Sequence, residues 1–420
     1  MNSALFDVNC TLSETLRTCR ICDSTAIERI LDLGAQPPAN SLRQDRTAGL
    51  PAIPLVLCRC SACGTVQLTE TASPEYLFRN YVWVTGTSQA ARDYSALFCE
   101  RLAARCRPGR RFVLEVASND GTFLQRFRER GDDVLGVDPA ENIGAIGRQR
   151  GIPTLTEFFG LAVARDIVAE RGQADVVYAR NVISHVADAK DVVAGMAHCL
   201  SESGTGAIEF HCADAILDGL HYDSIYHEHL FYHSLHSIGR LIGQFGLMPF
   251  DVTDSPISGG SLVVYFSKQA RVPTGAYART LARERELGIG EEAPWREFAR
   301  RCQRHRAALL ALVEARKRAG KRIIGYGASA RSSTLLNFCG IDHCHLDLIV
   351  DRSPLKHDRY TPGTDILITA PAEGFTPRPD VVLLLAWNFR DEIVAQIQAD
   401  QGWHGEVIVP LPGDPTGTTI

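Results

Sequence analysis

Between residues 89 and 106 (QAARDYSALFCERLAARC) apolar side chains recur about every 3.6 positions, which predicts an amphipathic helix. The next run, Arg111-Phe-Val-Leu-Glu115-Val-Ala, is apolar but for its acid and predicts a buried strand. It leads into a small polar turn, Ser118-Asn119-Asp120-Gly121, then a helix over 122–130 and a strand, Asp133-Val-Leu-Gly-Val-Asp138. Strand, tight turn, helix and a strand ending in an acid is how a doubly wound α/β sheet begins. Runs at 174–179 and 206–210 predict further strands, 234–245 a helix, and 247–252 with 260–266 a closing hairpin. Residues 269–319 read as helical. A second α/β unit starts at Lys321-Arg-Ile-Ile-Gly-Tyr-Gly327-Ala, with a helix over 331–339, a strand over 345–350 before Asp351, and a late strand over 380–385.

The first 75 residues break this pattern. Their middle (LDLGAQPPANSL) is rich in turn formers and predicts no self-sufficient core. Two Cys-x-x-Cys knuckles, Cys19-Arg-Ile-Cys22 and Cys60-Ser-Ala-Cys63, offer four soft ligands at tetrahedral geometry, and Gly64 suits the second turn. A closed structural zinc site is expected to hold the segment together. Cys58 competes with Cys60 for the ligand set, but Cys60 gives the two-residue spacing.

With 420 residues the chain suits two to four domains, here expected at 1–75 (zinc), 76–268 (the first α/β unit), 269–319 (helical connector) and 320–420 (the second, Rossmann-like α/β unit). Hydrophobic residues at 45% and charged residues at 22% describe a globular chain. A net charge of −5 argues against a nucleic-acid partner. The basic stretch from Arg296 to Arg322, interrupted by Glu297 and Glu314, reads as a solvated helix face. No apolar run approaches the ~18 residues of a membrane span, and the first residues do not resemble a secretion signal. Thirteen cysteines, an odd number, suggest the reducing cytoplasm. A small-molecule substrate and a monomer or weak dimer are expected.

The turn at 117–121 lacks the Gly-x-Gly-x-x-Gly pattern; Ala117, Asn119 and Gly121 stand where glycines usually do. Asp120 at the following helix start disfavours a pyrophosphate and favours a cationic ligand such as S-adenosylmethionine. Glu115, Ala117, Ser118, Asn119, Gly121, Asp138 and Asn181 are its candidate binding residues, with Asp138 placed to accept ribose hydroxyls. Five of thirteen histidines fall between 221 and 236, around Tyr226-His227-Glu228-His229. Such density fits an exposed loop, a metal site at His227, His229 and His233, or a catalytic loop; the last is preferred.

These motifs, taken in order, resemble the sugar C-methyltransferase family, enzymes that add a methyl carbon to nucleotide-linked keto-deoxysugars. The resemblance covers nearly the whole chain. It rests on Cys19/Cys22 with Cys60/Cys63-Gly64, Tyr81-Val-Trp-Val-Thr-Gly86-Thr-Ser88, Glu115 to Gly121, Asn181 to His185 and Tyr226-His-Glu-His229. It continues through Gly259-Gly-Ser261, Gly325-Tyr-Gly-Ala328, Asp351 to Lys356, Arg359 to Thr364 and Ala386-Trp-Asn388. The family implies a zinc-bound N-terminal domain, a class I S-adenosylmethionine domain and a C-terminal Rossmann-like domain, with the sugar nucleotide between the last two. It implies a sugar pocket lined by Tyr81, His185, Tyr226, Glu228 and His229. Trp83 replaces the usual second tyrosine, and Ala330-Arg331-Ser332 replaces Ala-Lys-Gly. Ala328, Ser329, Arg331, Lys356, Arg359, Asn388 and Trp83 are the expected substrate-binding residues. The expected chemistry has His229 remove a proton beside the ketone, Glu228 orient it, and Tyr226, Tyr81 or His185 stabilise the enolate. Two alternatives stand beside it: the same chemistry on a non-sugar metabolite, and an NAD-dependent oxidoreductase using the C-terminal unit.

Overall fold

In a computed structural model, which describes residues 13–47, 49–78, 84–257 and 260–420, the continuous apolar runs become the inner strands of two seven-stranded sheets. In the first, Phe112–Val116, Asp133–Val137, Thr154–Leu155, Ala174–Arg180 and Leu200–His211 run parallel. Ser261–Ser267 and Met248–Ser255 close the sheet as an antiparallel pair. Phe112–Val116 lies centrally, between Asp133–Val137 and Ala174–Arg180. The chain reverses direction there, so a crevice opens at the carboxyl ends of these strands. Helices Gln89–Ala103 and Thr122–Glu129 cover one face. Phe98 and Phe127 pack there on Tyr178, 5.2 Å and 5.5 Å from its ring, and Phe123 packs edge-on against Phe98 at 5.5 Å. Each such ring contributes roughly 1.5–3 kcal/mol by leaving water.

The second sheet has Ile323–Tyr326 at its centre, parallel to Leu348–Val350 and Val381–Leu384. Its outer strands Arg359–Tyr360 and Thr416–Thr419 are antiparallel. Between the sheets, Glu292–Arg318 is a 27-residue helix. Trp295, Phe298, Cys302, His305, Leu309 and Val313 form its buried stripe at spacings of three and four. Arg296, Arg300 and Arg304 pair with Glu292 and Glu297 on the opposite, exposed face, so the basic stretch is the solvated side of this helix. Among the described residues no helix is long and apolar enough to cross a membrane.

The N-terminal sheet holds a feature that the local sequence pattern does not announce. Ile27–Gln36, Ile53–Cys60 and Val66–Leu68 form three antiparallel strands, and the fourth is Phe231–Tyr232, from the histidine-rich loop. Leu68 N–H also donates to Leu230 O at 2.9 Å. The zinc segment and the histidine-rich loop therefore share one sheet.

Candidate active site

The two knuckles bring Cys19, Cys22, Cys60 and Cys63 together, with all four Sγ atoms within 4.8 Å of one another. Cys19–Cys63 and Cys22–Cys60 are each 3.6 Å apart. A tetrahedron of thiolates at ~2.3 Å from zinc has edges of about 3.8 Å, so the quartet fits zinc and is too wide for disulfides. The Cys63 contact draws the Cys19 thiol down to about 4 and pushes Cys63 up. Cys58 stays outside the quartet, where burial holds its thiol up at about 12. Gly64 turns with φ +73°, and a Cβ there would lie 2.8 Å from Gly290 Cα. Four protein ligands complete the coordination, so this is a structural site.

At the crevice, Ala117, Asn119 and Gly121 take φ values of +56°, +51° and +74°, the glycine-type backbone expected of those positions. Left-handed backbone costs a non-glycine residue about 1–2 kcal/mol, and hydrogen bonds hold the turn. Asn119 N–H donates to Asp138 Oδ2 at 2.8 Å, and Ala140 N–H to Asp138 Oδ1 at 2.9 Å. Asp138 is 6% exposed, and burial pushes its carboxyl upward. Glu115 lies beneath, where burial raises its carboxyl to about 8 and the Tyr178 hydroxyl donates to it at 3.0 Å. Ser118 is buried against Gly136, where a Cβ would sit 2.3 Å from its Oγ. Asn181 ends the Ala174–Arg180 strand with φ +50°, its N–H donating to Glu209 O at 2.9 Å.

Asp120 behaves differently from expectation. Its carboxylate is wholly buried and paired with Arg150 at 2.5 Å, and it accepts from Thr122 Oγ1 at 2.7 Å. A paired carboxylate presents little free charge to a ligand, which weakens the charge argument drawn from the sequence. Asp120 instead acts as a clasp, since its Oδ2 accepts Gly86 N–H at 3.0 Å while Asn119 Oδ1 accepts Thr85 N–H at 2.8 Å. A Cβ on Gly86 would lie 2.5 Å from that carboxylate oxygen, so only glycine fits. The clasp fastens the chain just after Tyr81 and Trp83, which lie outside the described residues.

His229 is fixed by both ring nitrogens. Nδ1 lies 2.9 Å from Ser224 O, a pure acceptor, so Nδ1 carries the proton. Nε2 then bears the lone pair and accepts the Tyr226 hydroxyl at 2.7 Å. Burial holds the imidazole well below its ordinary proton affinity, with His185 and His211 adding to the effect, so it stays neutral. His185 packs edge-on at 4.8 Å, itself drawn down to about 4 by burial. The residue that orients His229 is thus Ser224, through its carbonyl, and not Glu228. Glu228 turns the other way, where Asn40 Nδ2 donates to its Oε1 at 2.6 Å, and burial raises its carboxyl to about 7. Asn40 belongs to the zinc segment and escaped the sequence reading. His227 Nε2 meets Ile53 O at 3.0 Å, and His233 Nδ1 meets Ser237 Oγ at 3.2 Å. His227, His229 and His233 therefore point to separate partners, and they form no metal cluster among the described residues.

The C-terminal candidates meet the histidine-rich loop at the seam between the sheets. Arg331 Nε and Nη2 each donate to Asp223 at 3.0 Å, a two-pronged pair, and Trp387 Nε1 donates to the same carboxylate at 2.8 Å. Lys356 Nζ donates to Ala328 O at 2.7 Å and lies 3.1 Å from Asp351. Ala328 N–H donates to Asp351 Oδ2, and Ser329 N–H to Ser332 Oγ, both at 2.8 Å. Of the expected substrate-binding groups, Ala328, Ser329, Arg331 and Lys356 are thus engaged within the chain. Arg359 lies half-buried on an outer strand opposite Ile368, and Asn388 lies half-buried in the turn Trp387–Phe389.

An α/β sheet with this crevice, fastened to a zinc-bound segment, defines a methyltransferase that takes its methyl group from S-adenosylmethionine. Residues 87–249 match the family described as "Methyltransferase domain", residues 19–78 the "Putative zinc binding domain" and residues 256–412 the "C-methyltransferase C-terminal domain". The C-methyltransferase NovU of Streptomyces niveus is 33% identical over 402 residues, spanning 94% of this chain and 95% of that protein. The chain belongs to the S-adenosylmethionine-dependent C-methyltransferase family. Among solved structures it is similar to magnesium protoporphyrin IX methyltransferase of Synechocystis PCC 6803 (14% identity, 43% of this chain, 80% of that one, TM-score 0.32). The CcbJ methyltransferase of Streptomyces caelestis is similar at 15% identity, over 45% of this chain and 94% of that one, with a TM-score of 0.34.

Proposed function

We propose that the enzyme methylates the carbon beside the ketone of a nucleotide-linked keto-deoxysugar, with His229 as the base. The observation that carries the base assignment is the fixed tautomer, in which Ser224 O holds the Nδ1 proton and leaves Nε2 as the lone-pair nitrogen. The α C–H bond breaks, its proton passes to Nε2, and its electrons enter an enolate. Tyr226 turns its hydroxyl from Nε2 to the enolate oxygen, with His185 alongside and Tyr81 as a further candidate. The enolate carbon attacks the sulfonium methyl. A C–C bond forms, the S–CH₃ bond breaks to leave S-adenosylhomocysteine, and the imidazolium returns its proton to water. Glu115, Ala117, Ser118, Asn119, Gly121, Asp138 and Asn181 are the proposed frame of the S-adenosylmethionine crevice. The ketosugar acceptor rests on the ordered motifs of the sequence.

Glu228 is the second candidate base, favoured by a carboxyl raised to about 7, since a base works best near the operating pH. The test incubates nucleotide-linked ketosugars with S-adenosylmethionine and reads sugar mass for one added CH₂. His229→Asn should abolish both methyl transfer and α-deuterium exchange from heavy water, a loss of roughly 10²–10⁴-fold. Full exchange in His229→Asn with none in Glu228→Gln transfers the role to Glu228.

A further inference from the structure

Two imidazoles at the seam take no part in the chemistry above. His211 ends the Leu200–His211 strand at the sheet's carboxyl edge, and His221 follows the helix Ala213–Gly219. Their rings stack, with centroids 6.0 Å apart and planes 22° from parallel. His221 also leans on Trp387 of the C-terminal unit at 4.8 Å, and the Arg331 guanidinium covers the same indole at 4.8 Å. Gly219 makes room for the arrangement, since a Cβ there would stand 2.1 Å from His221 Nε2. The pair thus sits where the two halves of the enzyme meet, close enough to His229 for His211 to depress its proton affinity.

His211 Nε2 and His221 Nδ1 are shut away from solvent, and neither has a hydrogen-bond partner among the described residues. Buried polar atoms are nearly always satisfied, so two orphaned nitrogens in neighbouring rings ask for a ligand. The chemistry narrows which one. Burial and the Arg331 cation keep both rings neutral, with His221 drawn down to about 4 and His211 held well below its ordinary proton affinity. A neutral imidazole carries one N–H and one lone pair, which together complement a hydroxyl group, both donor and acceptor. A metal cation is disfavoured by the neighbouring guanidinium, and an anion would want charged rings.

We propose that His211 and His221 form a subsite that reads hydroxyl groups on the sugar ring of the acceptor. This rests on the ketosugar reading above and names the residues that select among such sugars. His221 orients against Trp387, and the Arg331–Asp223 pair holds that indole in place, so both halves of the enzyme contribute to the subsite.

The test uses a thymidine diphosphate-linked 4-keto-6-deoxyhexose with hydroxyls at carbons 2 and 3, and its 2-deoxy and 3-deoxy counterparts. Each is titrated calorimetrically into the full-length zinc protein saturated with S-adenosylhomocysteine. The wild type should bind at least one deoxy counterpart about 10–100-fold more weakly, the usual consequence of leaving a buried polar group unpaired. His211→Phe and His221→Phe keep a stacking ring and remove the nitrogens. They should bind the parent sugar more weakly by that same factor and lose the discrimination. His211→Leu and His221→Leu, which likewise remove the nitrogens, serve wherever a phenylalanine variant no longer holds S-adenosylhomocysteine. Equal binding of all three sugars by the wild type, or undiminished discrimination in the variants, overturns the subsite. A wild type that holds S-adenosylhomocysteine but none of the three sugars overturns the ketosugar reading and the subsite with it.

Discussion

Asp223 ties the two halves of the enzyme through one carboxylate, and its removal should be felt throughout the seam. It accepts two guanidinium N–H groups from Arg331 and the indole N–H of Trp387, with its side chain 1% exposed and that of Arg331 15% exposed. Asp223→Ala takes a two-pronged carboxylate away from a nearly buried cation, a change that costs up to about 3–5 kcal/mol. It also orphans the Trp387 donor, which adds about 1–3 kcal/mol if nothing else satisfies it. Arg331→Met should cost less, because Trp387 still donates to the remaining carboxylate. The double variant Asp223→Ala/Arg331→Met should be no worse than Asp223→Ala alone, since each single change has already broken the shared interaction. Unfolding entropy of ~2.1 cal/mol/K per residue implies about 1 °C of melting temperature for each kcal/mol in a chain this long. Scanning calorimetry should therefore find Asp223→Ala roughly 3–9 °C below wild type. Shifts under 1 °C for both single variants, or strictly additive losses in the double, would refute the reasoning.

Metal analysis should return one zinc per chain. Stripping it should abolish methyl transfer and amide-exchange protection at residues 66–68 and 230–232 together, because these strands pair; a zinc-free enzyme with full turnover would sink this. The Glu228 carboxyl is raised to about 7 in the fold, above its ~4.3 in the unfolded chain. Its contribution to stability is therefore whole below pH ~4.3 and lost as pH rises through about 7. The stability of wild type relative to Glu228→Gln should fall between about pH 4 and 7 and level off above that. Asn40→Ala, which removes the donor to the ionised carboxylate, should deepen that fall by about 1–2 kcal/mol. A pH-independent difference in denaturation midpoints would contradict it.

Much of this architecture was legible wherever the determinants are local. Continuous apolar runs marked the inner strands, the paired knuckles marked the cysteine quartet, and the 117–121 turn marked its three left-handed positions. Boundaries moved where a local signal intervened. The strand expected at 345–350 begins at Leu348, because the Asp342 and His345 side chains bond across a preceding turn. The strand expected at 206–210 extends back to Leu200 through an irregularity in its pairing. Long-range partnerships left no local trace. Asn40 and Glu228 are 188 positions apart, and Asp223 and Arg331 are 108 apart. The charge of Arg331 suggested a ligand contact; its geometry is committed to a carboxylate that sequence spacing could not place. Phe231–Tyr232 is too short for an alternating pattern, and its strand character comes entirely from its neighbour.

That two-residue strand sets a rule for any attempt to recombine these enzymes. Because Phe231–Tyr232 is stitched to Val66 and Gln67, the cysteine-quartet front and the histidine-rich loop are one inherited block despite lying far apart in the gene. Grafting the first 78 residues from a relative without the matching 226–233 stretch would mismatch the edge on which His229 is hung. Hybrids that move both stretches together should stay active, which makes that seam a natural crossover boundary for engineering new acceptor preferences.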